Sequence, residues 1–156
     1  MLVHQIPGTG AEMKTIRLIA QGGFGRVEEV RLKNGARAAR KVFAPAFPIA
    51  TAAEREKWLR RFQREVRIQS SINSAGIIPI IGGDLDCDEP YYMMPLAERN
   101  FLDEIASIRA GKSGAHGPLA DILNALDELH ELGYVHRDLK PANVLLHDGV
   151  SVLYFL

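Results

Sequence analysis

The sequence contains a single cysteine, no excess charge of either sign and no long hydrophobic run. Cys87 cannot form a disulfide within the chain, which favours a reducing compartment such as the cytoplasm. Lysine and arginine together number 19, as do aspartate and glutamate, so the formal net charge of zero gives no electrostatic basis for general nucleic-acid binding. The longest apolar stretches, such as residues 77–81, are far shorter than the roughly 20 residues of a membrane span, and no signal-peptide pattern is evident. We therefore expect a soluble, cytoplasmic protein with no membrane segment and no nucleic-acid partner.

The residues that are present have an ordinary globular composition. Of the 156 residues, 47% are apolar and 24% are charged, which suits one medium domain or two small lobes with a hydrophobic core. Residues 1–14 predict a loose lead-in. Three strands are predicted after it, over residues 15–20, 26–32 and 36–43. Because Asn34-Gly35 is a strong hairpin signal, this part of the chain predicts an antiparallel meander.

A helix is predicted after the meander. Thr51 and Glu54 have the spacing of a capping box, and Trp58, Phe62 and Val66 recur every four residues as one apolar stripe. Two more strands are predicted, over residues 77–81 and 91–94.

The second half of the sequence is mostly helical. Helices are predicted over residues 101–108 and 118–132, the second with a wide apolar face. Pro118 suits the first turn of that helix and Gly133 its C-terminal cap. The change of character predicts a boundary between two lobes at residues 95–98.

The most informative segment is His-Arg-Asp-Leu-Lys-Pro-Ala-Asn at residues 136–143. A buried His-Arg-Asp by itself would indicate only a satisfied polar network, but the eight ordered residues resemble the catalytic loop of eukaryotic-type (Hanks-type) protein kinases. Lys140 followed by Pro141 resembles the serine/threonine branch. In that chemistry Asp138 orients the attacking hydroxyl and accepts its proton, Lys140 neutralises the transferring phosphoryl group, and Asn143 offers an oxygen to a metal ion.

A glycine cluster lies near the N-terminus. Two glycines between strands usually indicate only a tight turn, but residues 19–27 resemble the kinase loop whose backbone amides lie over the nucleotide phosphates. The first glycine of that pattern is replaced by Ala20. The resemblance assigns nucleotide binding to Ile19, Ala20, Gln21, Gly22, Gly23, Phe24, Gly25, Arg26 and Val27.

A lysine and a glutamate complete the implied phosphate clamp. Ala-Ala-Arg-Lys, ending at Lys41, resembles the strand motif whose lysine binds the α- and β-phosphates and pairs with a glutamate of the next helix. Glu65 has the suitable order and lies beside the apolar stripe, whereas Glu56 is a weaker rival near the helix start. Without the family pattern, both lysine and glutamate would be expected as solvated surface charges.

Residues 91–97 resemble the hinge that holds adenine. The resemblance makes Met94 the gatekeeper and assigns backbone contacts to the carbonyl of Pro95 and the N–H of Ala97. Proline has no N–H, and the family does not use one at that position. Taken alone, this segment would predict a buried strand that ends at Pro95.

The resemblance covers residues 15–153 in the order of the family. It implies an α+β, two-lobed protein-kinase-like fold with a complete N-lobe, made of an antiparallel sheet and one helix, and only the beginning of the helical C-lobe. The implied bounds are an N-lobe at 15–94, the hinge at 95–98, the start of the C-lobe at 99–156 and the catalytic loop at 134–146. A hairpin turning at Asp148-Gly149 should lead into an Asp-Phe-Gly motif, but the sequence reads Tyr154-Phe155-Leu156.

The implied function is ATP-dependent phosphorylation of serine or threonine in protein substrates, with Mg²⁺. Because these 156 residues lack the Asp-Phe-Gly aspartate, we expect the chain alone to be inactive. We also expect it to be poorly stable, because the helices that would normally cover the wide apolar face of the helix at 118–132 are missing from it. The alternative is a non-catalytic ATP-binding pseudokinase or a degenerate fragment that acts as an interaction module. A small-molecule kinase is disfavoured by Leu139-Lys140-Pro141. The coding sequence beyond codon 156 would distinguish the first two.

Overall fold

A computed structural model describes residues 13–154 and divides into two compact units. The first unit comprises the described residues up to Ser71 together with Ile80–Leu96, and the second comprises Ile72–Pro79 together with the described residues from Ala97 onward. Most of the predicted lead-in, and Phe155 and Leu156 at the other end, lie outside the described residues. Within the described part, Lys14 already belongs to the first strand.

The first unit contains a five-stranded antiparallel sheet. Its strands are β1 Lys14–Gln21, β2 Gly25–Arg31, β3 Arg37–Phe43, β4 Gly82–Asp84 and β5 Tyr91–Pro95, in the order β1-β2-β3-β5-β4. The β2–β3 turn follows the chemistry of its residues. Gly35 has a φ of 84°, and the Asn34 side-chain oxygen accepts a hydrogen bond from the Ala36 N–H at 3.0 Å. The hairpin predicted at Asn34-Gly35 is confirmed.

Helix α1, Ala52–Ser71, packs an apolar stripe within the same unit. Its start is capped as predicted, because Thr51 Oγ1 accepts a hydrogen bond from the Glu54 N–H at 3.1 Å. The buried Phe62 ring lies 5.7 Å from the Phe43 ring and 5.5 Å from the Tyr92 ring. Burying each of these large side chains contributes roughly 1.5–3 kcal/mol, which fixes α1 against β3 and β5.

The strand predicted over residues 77–81 is wrong. Ile77 forms only an isolated bridge with Leu153, and the next strand begins at Gly82. Pro79 interrupts the apolar run, because proline has no N–H to give to a sheet ladder. The Ile78 N–H instead donates to the Leu153 carbonyl at 3.0 Å, and the Leu153 N–H donates to the Gly76 carbonyl at 2.8 Å. These bonds place Ile72–Pro79 in the second unit, apart from the sequence on either side of it.

The second unit combines a small sheet with two helices. Its elements are β6 Arg99–Asn100, α2 Phe101–Arg109, α3 His116–Glu131, a 3-10 helix at Pro141–Asn143, β7 Val144–His147 and β8 Val150–Leu153. The sheet order is β6-β7-β8. Asp148 and Gly149 connect β7 to β8 with φ values of 51° and 78°, which confirms the predicted hairpin and its turn.

The predicted apolar face of α3 is only partly covered within this unit. Ile122, Ala125 and Leu129 are buried, whereas Leu123 and Leu132 are 66% and 54% exposed. The helix ends as predicted before Gly133, whose φ of 78° suits the left-handed position after a helix. None of the helices within residues 13–154 has the length and apolar character to cross a membrane.

Candidate active site

Lys41 forms the central ion pair of the first unit. Lys41 lies on strand β3 and Glu65 lies on α1. The Lys41 ammonium donates a hydrogen bond from Nζ to Glu65 Oε1 at 2.6 Å. The two side chains are only 5% and 12% exposed. The Phe62 and Tyr92 rings lie 5.9 and 5.6 Å from the same nitrogen, within the range of cation–π attraction. An apolar wall therefore holds a desolvated lysine in one position.

Glu56, the rival partner for Lys41, has a different contact. Its carboxylate pairs with Arg60 at 2.7 Å, four residues further along α1, and both side chains are more than 60% exposed. A surface pair of this kind contributes little to stability. The helix thus places Glu65, and not Glu56, against Lys41.

The glycine loop joins β1 to β2 through a closed turn. The Gly22 N–H donates to the Gly25 carbonyl at 2.8 Å. A Cβ atom at Gly25 would lie 2.5 Å from the Val42 carbonyl oxygen, so this position requires glycine. Ala20, which replaces the first glycine of the family pattern, sits opposite Val27 in the β1–β2 ladder as an ordinary strand residue.

Gln21 braces this loop, a role that the sequence did not reveal. Its side-chain nitrogen lies within hydrogen-bond distance of the carbonyls of Gly22, Gly25 and Ala44, at 3.3, 3.3 and 3.4 Å. The other end residues of the assigned loop belong to strands: Ile19 lies in β1, and Arg26 and Val27 lie in β2. Arg26 makes an ion pair with Glu28 at 2.7 Å.

The hinge residues lie at and after the end of β5. Met94 is 2% exposed and sits opposite Ala39 of β3, and Pro95 is the last residue of β5, opposite Ala38. Ala97 begins the longer segment of the second unit.

The catalytic-loop residues of the second unit converge on Asp138. Its Oδ2 atom accepts hydrogen bonds from Lys140 Nζ and from Asn143 Nδ2, each at 2.9 Å. Asn143 Nδ2 also donates to the Asp138 carbonyl at 2.7 Å. Since the amide nitrogen faces Asp138, the side-chain oxygen of the buried Asn143 is the atom that can bind a cation.

These contacts determine the charge of Asp138. The hydrogen bond from Lys140 lowers the pKa of the Asp138 carboxyl below its ordinary value, more than desolvation raises it, and the bond from Asn143 lowers it further. The side chain is 44% exposed. At neutral pH the group is therefore an ionised, accessible hydrogen-bond acceptor.

A buried histidine holds the catalytic loop in place. His136 is 6% exposed, and its Nε2 lies 3.0 Å from the Tyr154 carbonyl oxygen, while the Tyr154 N–H donates to the Asn143 carbonyl at 2.9 Å. Arg137, between His136 and Asp138, has a φ of 62°, an uncommon value for a residue other than glycine. The motif singled out this segment, but only the structure reveals the bracing contact of His136 with Tyr154.

Metal ligands are few in the described part of the chain. Across residues 13–154, no three histidine, cysteine, aspartate or glutamate side chains gather as a candidate metal site. Asn143 nevertheless offers a hard oxygen ligand next to the Asp138 carboxylate. Such a donor fits Mg²⁺, which keeps several water ligands and commonly binds substrate phosphates.

The fold and these two clusters define a protein kinase domain. The family model described as a protein kinase domain matches residues 13–153. The chain therefore belongs to the Hanks-type serine/threonine protein kinase family, which confirms the resemblance read from the sequence and the α+β, two-lobed fold that it implied.

The curated relatives that the chain matches are also named serine/threonine-protein kinases. The chain is 35% identical to the DNA damage-responsive serine/threonine-protein kinase RqkA of Deinococcus radiodurans over 97 residues, covering 56% of this chain and 14% of that protein. It is 32% identical to the serine/threonine-protein kinase PknL of Mycobacterium tuberculosis over 100 residues, 62% of this chain and 25% of the relative. It is 29% identical to the probable serine/threonine-protein kinase PknB of Bifidobacterium longum over 150 residues, 89% of this chain and 21% of the relative. The chain thus spans a quarter or less of the length of these relatives.

Proposed function

We propose that this domain transfers the γ-phosphoryl group of ATP to serine or threonine side chains of protein substrates. The observation that carries the proposal is the cluster in which Asp138 accepts hydrogen bonds from Lys140 and Asn143, each at 2.9 Å. It combines an ionised acceptor, a cation and an amide oxygen, which are the groups that phosphoryl transfer to a hydroxyl requires.

In the proposed reaction, Asp138 acts on the acceptor hydroxyl. Its carboxylate orients the hydroxyl and receives the proton as the oxygen forms a bond to the γ-phosphorus. The bond from the γ-phosphorus to the bridging oxygen breaks, and ADP leaves with that electron pair. Lys140 offsets negative charge on the transferring group, and Asn143 would hold the metal ion through its side-chain oxygen. Mg²⁺, when bound, supplies positive charge next to the phosphates.

The ion-paired lysine, the glycine loop and the hinge residues make the remaining proposed contacts with ATP. The Lys41 ammonium, kept in place by Glu65 at 2.6 Å, binds the α- and β-phosphates. The backbone amides of the glycine loop bind phosphate oxygens. At the adenine, Met94 is the gatekeeper, and the carbonyl of Pro95 and the N–H of Ala97 make the backbone contacts.

The choice of serine and threonine as acceptors is supported by Lys140-Pro141 and by the relatives, which are named serine/threonine-protein kinases. We also propose a cytoplasmic location, which the single cysteine favours and which cell fractionation would test.

Nucleotide binding is the most direct test. Isothermal titration of the chain with Mg-ATP should detect binding, and Lys41→Met should weaken it about ten- to hundredfold, because a hydrogen bond to a charged group contributes about 1.5–3 kcal/mol. Lys112→Met is the matched control, since Lys112 is exposed and lies in the other unit. Equal affinity of the wild type and Lys41→Met would contradict the assignment. Binding without transfer in any extended form would favour the non-catalytic alternative.

A further inference from the structure

Two side chains can hold the glycine loop: Gln21, at the end of β1, braces it through hydrogen bonds to the carbonyls of Gly22 and Gly25, and Phe24 can hold it through packing. Gly22, Gly23 and Gly25 have no side chain, and glycine loses more conformational freedom on ordering than any other residue. Phe24 is thus the only residue between Gly22 and Gly25 that can anchor the loop through packing. Phe24 as a whole residue is 37% exposed, so the anchoring surface lies at the periphery of the first unit and not in its core.

Phe24 packs on Trp58 of α1. The ring centroids are 4.5 Å apart with an interplanar angle of 37°, which is the close end of the range for favourable aromatic pairs. Phe47, from the connection between β3 and α1, meets Phe24 edge-on at 5.6 Å and Trp58 at 5.7 Å. The guanidinium of Arg61 lies 5.1 Å from the Phe24 ring and 5.9 Å from the Trp58 ring. We call Phe24, Phe47 and Trp58 the aromatic cluster.

Backbone hydrogen bonds reinforce the same attachment. The Ala46 N–H donates to the Gly23 carbonyl at 3.0 Å, and the Ala44 N–H donates to the Phe24 carbonyl at 3.3 Å. In a planar trans peptide the following N–H points away from the carbonyl. The bonded carbonyls of Gly23 and Phe24 therefore turn the N–H groups of Phe24 and Gly25 away from the connection, as a phosphate-binding loop requires.

Trp58 and Glu65 lie on the same face of α1. They are seven residues apart, which is close to two turns of a helix. One side of α1 thus holds the Lys41 ammonium through Glu65 and the glycine loop through Trp58. A displacement of the helix would disturb both attachments together.

We propose that Trp58 is a positioning residue for nucleotide binding: through its contact with Phe24 it holds the glycine loop in the conformation that receives the phosphates. This inference rests on the proposed function, since it assigns the loop to ATP. Trp58 itself does not touch the nucleotide. The aromatic pair acts by reducing the number of conformations that the loop must give up when the ligand binds.

Hydrogen exchange of the nucleotide-free chain tests the attachment without any ligand. Trp58→Ala should speed exchange of the amides in residues 20–27 about two- to tenfold, the range that corresponds to an aromatic pair, and leave residues 144–153 unchanged. Trp58→Phe should restore most of the protection. Arg60→Ala, a change on the same helix at a surface pair with Glu56, is the matched control and should leave the loop unchanged.

Titration with Mg-ATP tests the consequence. Phe24→Ala and Trp58→Ala should each raise the Kd roughly two- to tenfold, and the double variant should bind no more weakly than the weaker single variant, because both changes remove one contact. Additive losses would instead show that the two rings act independently and not through their contact. Unchanged exchange and unchanged Kd in Trp58→Ala, with a wild type that binds Mg-ATP, would overturn the inference and leave the proposed function standing.

Two further experimental outcomes also distinguish this inference from the proposed function. A wild type that does not bind Mg-ATP, with a loop that still responds to Trp58→Ala, would refute the proposed function and support the attachment. If Trp58→Ala raises exchange throughout the chain, it has unfolded the domain, and Phe24→Leu then decides. That change removes a partly exposed ring and keeps an apolar side chain, so faster exchange restricted to residues 20–27 supports the inference and no change overturns it.

Discussion

Lys41 and Glu65 are 24 residues apart in the chain, and their side chains meet at 2.6 Å in a buried ion pair. The pair ties β3 to α1 at the point where the sheet presents its lysine. Phe62 packs beside it and is itself 3% exposed. Water is therefore largely kept from a contact whose two members each carry a full charge.

Removal of Glu65 should be costly. Glu65→Ala leaves the Lys41 ammonium buried without its carboxylate, and losing one partner of a buried pair typically costs about 3–5 kcal/mol. Urea unfolding followed by circular dichroism measures the loss. Glu56→Ala is the control, because its exposed pair with Arg60 is worth about 0–1 kcal/mol. Equal losses of unfolding free energy in the two variants would show that the buried pair contributes no more to stability than the exposed pair.

The proposed role of Asp138 separates nucleotide binding from transfer. In a form extended by the rest of a kinase domain, Asp138→Asn should keep its affinity for ATP and lose about 10²–10⁴-fold in the transfer rate, because a neutral amide cannot accept the hydroxyl proton. Transfer from labelled ATP to a basic protein measures the rate. Turnover close to that of the unchanged protein would contradict the role, whereas a parallel loss of affinity would indicate a folding defect.

Two neighbouring glycines should respond differently to the same substitution. A Cβ at Gly25 would lie 2.5 Å from the Val42 carbonyl oxygen, whereas one at Gly23 would have no atom within 4 Å. Gly25→Ala should therefore cost about 1–3 kcal/mol through the backbone shift it forces. Gly23→Ala should change stability by no more than about 0.5 kcal/mol. Thermal melting of the two variants side by side checks the contrast, and a tolerated Gly25→Ala would disprove the close approach.

The pH dependence of stability should show a contribution from His136. Burial lowers the pKa of this histidine, more than its hydrogen bond to the Tyr154 carbonyl raises it. The unfolded chain therefore binds a proton more readily than the folded one, so stability should fall as the pH drops below the ordinary value of 6.5 and towards the lower folded value. Unfolding midpoints between pH 5 and 7 measure this slope. His136→Gln should flatten it, whereas a variant of the exposed His116 should not; identical slopes in all three proteins would contradict the prediction.

The sequence predicted best those features that depend on neighbouring residues. Asn34-Gly35 and Asp148-Gly149 specify their turns locally, and both hairpins form. The prediction of a strand over residues 77–81 was wrong because an apolar run indicates that a segment is buried but not which segment it packs against. The actual partner is Leu153, more than 70 residues away.

In the candidate site, too, some features could be predicted from the sequence and others could not. Family order was enough to select Glu65 over Glu56 as the partner of Lys41, and the structure pairs Lys41 with Glu65. No local pattern predicts which way the Asn143 amide turns, or that Phe24 would find Trp58 across 34 positions. These depend on side-chain directions that only the packed chain determines. Periodicity likewise identified the apolar face of α3 but not which of its leucines would be covered.

The aromatic cluster also has an optical consequence. The chain contains one tryptophan, and that residue lies against Phe24, Phe47 and Arg61. Any displacement of the glycine loop that removes Phe24 would bring water to the indole and move its emission to longer wavelength, with no contribution from a second indole. The domain thereby carries an intrinsic fluorescent reporter of its glycine loop, readable in the unlabelled protein.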